Sequence, residues 1–440
     1  MKIAAIFIIL LVVLLPVMSF SMTGDGTLKG RLQSFVSYGF GLTSFLLCLL
    51  TIAVSVYSVT SEFMQKQIYT VLTKPIRRFQ FLLGKLLGVI LLDVVLLALF
   101  SSVIYLITIY IPKFTGASQE ELKEARNEFY TARAALTVPE ADVTKEVNDD
   151  YDKLKKTGQL EQVFPNTSSE QIKSYLTSRK QLEKRAAEVG RDLLWEFNNV
   201  RPLGPKESLF IRFKYDVSVN PPDLQVYSRW FAGDYRQIKY GTGIETPIYS
   251  FDRKDLIRTF YEIEVPADAV AKDGYLAVGF LNVPLNNTVV IFPLEDGLEV
   301  LYKADTFTAN FLRAVLLISF RLIFLACLGI LSSSFLSFPV AVLLCLVVFF
   351  TGAISGFILE SFGYLSSHID LIYRYTIKLV VLALPQFDKY SPGTFLVPAR
   401  LISWSLLARV ACLMVCIKAV LLFVLSLIIF SFREIAKITV

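Results

Sequence analysis

The sequence predicts a predominantly α-helical polytopic membrane protein with six transmembrane helices and an inserted external α+β domain, a helical hairpin followed by a β-sandwich. Three observations predict it. Apolar residues make up 54% of the 440-residue chain, 35 of them Phe, and its mean hydropathy is +0.55; ordinary soluble proteins stay at roughly 45–50% apolar. These residues gather in windows long enough to cross a hydrocarbon core of ~30 Å, which takes about 20 helical residues. Charge is divided unevenly: residues 113–308 hold 26 Lys+Arg and 31 Asp+Glu, leaving 18 and 7 for the rest, so the basic excess lies in the membrane part. That excess suits cytoplasmic loops and anionic headgroups, and leaves no basic patch on a soluble face for nucleic acid.

The windows are 3–22, 36–58, 82–111, 309–331, 337–358 and 402–431. The first also has the layout of a signal peptide, with Lys2, an apolar core and a small-residue SFS end; a retained span gives an even topology. Lys and Arg in short loops mark the cytoplasmic side. The 59–85 connection carries five basic residues and the C-terminal tail adds Arg433 and Lys437, which puts both inside and 113–308 outside. Segment 359–401 holds an apolar run too short to span, and reads as a re-entrant or interfacial helix at about 366–386 that stops at Pro385.

The predicted organisation is therefore residues 1–112 as helices one to three with a cytoplasmic coupling region at 59–85, 113–204 as the external hairpin, 205–308 as the sandwich, and 309–440 as helices four to six. The hairpin rests on two Glu/Lys/Ala/Leu-rich stretches, SQEELKEARNEFYTARAALTV from Ser118 and SSEQIKSYLTSRKQLEKRAAEVGRDLLWEF from Ser168, joined by a polar stretch from Pro139 to Thr167. SSEQ at 168–171 places a hydroxyl and a glutamine where a capping box needs them. From Glu207 the pattern becomes alternation: SLFIRFKYDVSV, LQVYSRWF, IRTFYEIEV, GYLAVGFLNV, NTVVIF and GLEVLY, separated by NPPD, ADAVAKDG and PLNN. Short β-branched and aromatic strands between such turns predict an antiparallel sandwich. All five cysteines fall in apolar runs, so the polar insertion folds without disulfides.

The stretch at 62–88, EFMQKQIYTVLTKPIRRFQFLLGKLLG, combines a polar turn, an apolar face on Ile68, Val71 and Leu72, a break at Pro75, and basic residues at the entry to the third span. Pro75 disfavours helix at Lys74 and sets a bend between two elements. Such a surface segment can receive force from a partner; the plainer reading is a positively charged topogenic loop. Glu62 followed by IYTVLTKPIRRFQFLLGK resembles the cytoplasmic signature of ABC-2 type permeases, an acid, a TLLS-P-[IV]-x-R core and a GK opening the third span. The passage FLRAVLLISFRLIFLACLGILSSSFLSFPVAVLL is similar to that family's fourth and fifth spans with their serine-rich turn, the external helix before the last span fits, and IIFSFREIA is similar to its ending. The likeness covers about 240 residues of the membrane part and departs at the large insertion.

The resemblance implies an ABC exporter permease of the bacterial cytoplasmic (inner) membrane, with 113–308 on the periplasmic side. It implies pairing with a second permease subunit, as homodimer or heterodimer, and with separate ATP-binding subunits. ATP and Mg would sit in those subunits, since this chain has no G-x-x-x-x-G-K-[ST] and its only Gly-Lys, Gly84–Lys85, precedes Leu86. The coupling residues expected are Glu62, Lys66, Lys74, Pro75, Arg77, Arg78, Gly84 and Lys85. Asp93 and Arg321 are intramembrane charges, read as a translocation path, a dimer seam, or a structural pair with each other. Arg409 and Lys418 read as seam-lining or snorkelling, and Cys412 with Cys416 as buried packing.

Other residues read as structural. His368 lacks a nucleophile or a ligand cluster around it. NDDYD at 148–152 lacks the glycine and distal glutamate of a calcium loop and reads as a solvated turn. Tyr227, Trp230, Phe231, Tyr235, Tyr240, Tyr249 and Phe251 read mainly as core, with glycan stacking or a cap over a lipid path as the functional alternative. No nucleophile, metal cluster or acid pair favours an enzyme. The rival expectations are a mechanotransmitter or a scaffold whose external domain acts on a periplasmic or envelope protein without transport.

Overall fold

The computed structural model describes residues 2–64, 77–165, 167, 169–204, 207–241, 245–361, 381 and 384–432. The chain forms two compact units, one built from 1–132 with 306–440, the other from 133–305. The second is narrower than the expected 113–308.

In the membrane unit the chain opens with α1 (Lys2–Ser21), α2 (Leu28–Met64) and α3 (Arg78–Thr115). A short helix α4 (Gln119–Glu128) follows, begun by a capping box: Glu121 N–H donates to Ser118 Oγ at 3.2 Å, and Ser118 N–H donates to Glu121 Oε2 at 2.9 Å. The S-x-x-E spacing that signals this start is plain in the sequence, whereas the expected box at 168–171 lies partly outside the described residues. Lys29, at the start of α2, pairs with Glu124 and Glu128 of α4.

The inserted unit departs from the expected hairpin. TARAALT, read as helix, is strand β1 (Thr131–Thr137), and NDDYD, read as a turn, lies inside helix α5 (Thr144–Lys156). Helix α5 packs against α6 (Ser169–Glu183) through Val147, Ile172 and Leu176, and Asp150 pairs with Lys180 at 3.0 Å. The hairpin therefore spans 144–183, and its polar connection is itself helical where Val143, Val147, Tyr151 and Leu154 recur at helical spacing.

Strands β2 (Ala186–Ala187), β3 (Asp192–Phe197), β4 (Ser208–Phe213), β5 (Asp216–Val217) and β6 (Gln225–Gly233) follow, then a single turn of helix α7 (Arg236–Tyr240). Next come β7 (Tyr249–Leu256), β8 (Tyr261–Pro266), β9 (Leu276–Asn282), β10 (Val290–Ile291) and β11 (Leu298–Thr306). They make sheets of order β1-β11-β4-β8, β2-β10-β5 and β3-β9-β6-β7. Strand β3 replaces the expected end of a helix, and β7 is a strand beyond those expected, where Tyr249 and Phe251 alternate with polar residues. Side chains of both four-stranded sheets enter one core: Phe213 of β4 lies 4.4 Å from Trp230 of β6, ring to ring, with Phe280 and Phe292 around them.

The membrane unit resumes with α8 (Phe307–Phe335), α9 (Phe338–Ala353) and α10 (Ser355–Ser361), and ends in α11 (Trp404–Phe432), whose middle, Cys412–Ala419, is π-helical. Among the described residues four helices are long and apolar enough to cross a membrane: Leu28–Glu62, Arg78–Thr115, Phe307–Phe335 and Trp404–Phe432. The first and fifth expected spans are shorter apolar helices, Ala5–Ser21 and Phe338–Ala353.

The fifth window is interrupted because a loop enters the helix ladder. Phe387 N–H donates to the Gly352 carbonyl at 2.9 Å, and Asp388 accepts from Ser355 Oγ at 2.9 Å and from the Gly356 N–H. Only glycine allows this at 352, where a Cβ would stand 2.7 Å from the Pro385 carbonyl. A similar approach joins α2 to α8, where a Cβ on Gly329 would overlap the Ser55 side chain.

Candidate functional site

Two groups of charged residues stand out in the membrane unit. The first lies where α2 ends and α3 begins, the two sides of the connection expected to couple. Leu82, Leu86 and Val89 on one face of α3 close an apolar cluster with Val59 of α2, Ala326, Cys327 and Ile330 of α8, and Ala419 and Phe430 of α11. This cluster fixes four helices together and so fixes the charges beside it. Lys85 Nζ lies 2.6 Å from Glu62 Oε1, both side chains less than a third exposed, and stands over the Phe81 ring at 5.5 Å. Phe81 in turn stacks on Phe430.

One turn earlier, Arg78 donates through Nη1 to the carbonyl of Phe430 at 3.2 Å and to that of Ser431. These two hydrogen bonds to main-chain carbonyls tie the start of α3 to α11. Arg77 starts α3: its N–H donates to Gln80 Oε1 at 3.1 Å, while its own side chain is exposed. Gly84 has open space beside it, a Cβ meeting nothing within 4 Å. Lys66, Lys74 and Pro75 lie outside the described residues.

The second group is intramembrane. Asp93 of α3 is buried; its Oδ1 accepts from Thr51 Oγ1 of α2 at 2.9 Å, and Oδ2 has no hydrogen-bond partner among the described residues. Arg321 of α8 does not turn to Asp93. It donates to Ser44 Oγ at 3.2 Å and to the Phe387 carbonyl at 2.6 Å, and lies over the Phe387 ring at 5.0 Å. The pairing considered from sequence is thus replaced by two separate polar contacts, because the loop around Phe387 fills the space beside Arg321.

Sequence reasoning missed Asp388, which holds that loop to Ser355 and Gly356, and Asn310, which donates to the Arg400 carbonyl at 2.8 Å and accepts from Ile402 N–H at 2.8 Å. The signals were present as a carboxylate three residues after Pro385 and an amide at the start of an apolar span. Lys418 donates to the Leu384 carbonyl at 2.8 Å. Cys412 and Cys416, expected as buried packing, are exposed on the π-helical stretch Cys412–Ala419. His368 and most of 366–386 lie outside the described residues. Among those described, no group of three or more His, Cys, Asp or Glu gathers as a metal site.

In the inserted unit, strand alternation on β6 separates Trp230 from Phe231, and Tyr235 and Tyr240 lie at helix α7, so the aromatics expected mainly as core are divided. Trp230 is fully buried and Tyr249 and Phe251 pack against the core, whereas Phe231, Tyr235 and Tyr240 are exposed. Arg236 makes the densest polar contact there, reaching Asp234 through Nε and Nη2 at 2.9 Å and Asp273 through Nη1 at 2.7 Å, with its guanidinium 3.9 Å from the Tyr275 ring centroid. These hydrogen bonds hold both carboxyls below their ordinary pKa.

No curated protein and no solved structure matches the chain. A family model described as ABC-2 family transporter protein matches residues 1–130. The match takes in Glu62, Arg77, Arg78, Gly84, Lys85 and Asp93, while the further likeness read in α8, α9 and the C-terminus lies beyond it. With its long apolar helices the chain is a multi-pass membrane protein, and its residues 1–130 are similar to the ABC-2 family transporter proteins.

Proposed function

We propose that the chain is the permease subunit of an ABC exporter, driven by ATP and Mg bound in separate ATP-binding subunits and paired with a second permease subunit. Its place is the bacterial cytoplasmic membrane, with the inserted unit, read as a hairpin and a β-sandwich, on the periplasmic side. The observation that carries the reading is the joint between α2, α3 and α11, where Glu62 meets Lys85 and Arg78 donates to the Phe430 carbonyl of α11. A push on the connection between Glu62 and Arg77 would reach three spans at once, because the same apolar cluster holds them.

The test is purification of the tagged chain in mild detergent from its native membrane, with an ATPase assay on what accompanies it. A stoichiometric ATP-binding subunit, lost when Arg77→Glu and Arg78→Glu are combined, supports the reading. Unchanged assembly and ATPase stimulation in that variant overturns the coupling role.

A second reading, a mechanotransmitter or scaffold acting on an envelope protein, is favoured by one observation. Residues 133–305 form a compact unit with its own aromatic core, as a domain that binds a partner would need. Recovery of an envelope protein without ATPase activity would select that reading.

A further inference from the structure

A cavity of about 210 Å³ in the membrane unit is lined by two opposite charges, Arg321 and Asp388, and by four rings, Phe40, Phe45, Phe349 and Phe387. Each charge is held in place by its surroundings. Arg321 is fixed by Ser44 Oγ and the Phe387 carbonyl, and Asp388 by Ser355 Oγ and the N–H groups of Gly356 and Lys389. Neither charge pairs with the other, so both line the cavity and remain available to a ligand. A guanidinium in an apolar span is costly unless something answers its charge; Arg321 has a Coulombic interaction with Asp388, so the cavity presents both signs of charge.

We propose that this cavity binds a small zwitterion of the phosphoethanolamine type. Its phosphate would lie against Arg321, since planar guanidinium donors suit phosphate oxygens. Its ammonium would lie toward Asp388 among the aromatic faces, which attract cations. The size agrees: about seven water-sized volumes of ~30 Å³ fit the space, close to the eight heavy atoms, by order of magnitude, of phosphoethanolamine. The inference stands apart from the coupling reading, because it requires neither ATP nor a partner subunit.

The test is equilibrium binding to the purified full chain in maltoside micelles, with dihexanoyl phosphatidylethanolamine and dihexanoyl phosphatidylglycerol as probes. The ethanolamine lipid is expected to bind about tenfold or more tightly than the glycerol lipid, and Arg321→Gln and Asp388→Asn each to weaken it by about the same factor. Because both residues also hold backbone, Gly41→Leu is the deciding variant. Gly41 lines the cavity and a Cβ there meets nothing within 4 Å, so leucine fills the space, leaves the charges in place and favours the helix. Loss of ethanolamine-lipid binding in a folded Gly41→Leu protein supports the site. Equal binding of the two lipids, no binding of either, or binding unchanged by Gly41→Leu overturns it. Competition by free phosphoethanolamine assigns the site to a soluble zwitterion, and competition by the lipid alone assigns it to a bilayer headgroup.

Discussion

Glu62 and Lys85, 23 positions apart in the chain, meet at 2.6 Å across the ends of α2 and α3. The two residues that open and close the stretch resembling the ABC-2 permease signature are thus partners within the chain, and Phe81 beneath Lys85 ties them to Phe430 in α11. A double-mutant cycle on Glu62→Gln and Lys85→Met, read by thermal unfolding in detergent, should give a coupling energy of about 1 kcal/mol. A coupling energy of zero would mean the pair does not hold α2 to α3.

Arg78 donates to the Phe430 and Ser431 carbonyls of α11, so Arg78→Ala should destabilise the membrane unit by about 1 kcal/mol while Arg78→Lys recovers part of the loss. Arg77→Ala, whose side chain is exposed, should leave stability unchanged and affect partner binding alone. Thermal melting of the three variants beside their recovery of ATPase activity separates the two roles.

Gly84 opens on empty space, so Gly84→Ala should stabilise α3 by up to about 1 kcal/mol. If ATPase stimulation falls while the melting temperature rises, the glycine serves the approach of a partner. If neither falls, Gly84 leaves the coupling set.

Gly352 admits the loop that breaks the fifth apolar window. Gly352→Val should cost about 1–3 kcal/mol by forcing Pro385 and Phe387 away. Faster hydrogen exchange at 384–390 in the full chain would show it, and unchanged exchange would refute the packing argument.

In the inserted unit the folded-state pKa values of Asp234 and Asp273 are lowered from 3.8 by Arg236. The stability they contribute is present above that ordinary value and is lost as pH falls below it. Hydrogen-exchange protection of residues 133–305 in the full chain, corrected for the intrinsic rate at each pH, should be insensitive to these groups at neutral pH, fall below about pH 4, and lose that fall in Arg236→Gln.

Much of this was legible in the sequence. The apolar windows 36–58, 82–111, 309–331 and 402–431 overlie α2, α3, α8 and α11, although α2 starts eight residues before its window, at Leu28, because an apolar run of membrane length has few alternatives to helix. Alternation marks β6, β9 and β11 for the same reason of period. The signature at 62–85 was visible as charge against an apolar background, and the family match covers it. What failed did so where local composition and tertiary pairing disagree. TARAALT is rich in helix-forming alanine yet pairs in a sheet, since propensity is a weak prior against an available strand edge.

By itself the sequence determined that the chain is membrane-embedded, where its long apolar runs lie, that a polar unit interrupts them, and which charges deserve attention. These are properties of composition and period, which each stretch of chain carries locally. Only the tertiary structure decided the partners of those charges: Glu62 with Lys85, Arg78 with the Phe430 carbonyl of α11, and Arg321 with Phe387 and Ser44 instead of Asp93. A partner far away in the chain is chosen by which helices pack side by side and by the small residues, Gly329 and Gly352, that let backbones approach. No local pattern encodes that choice.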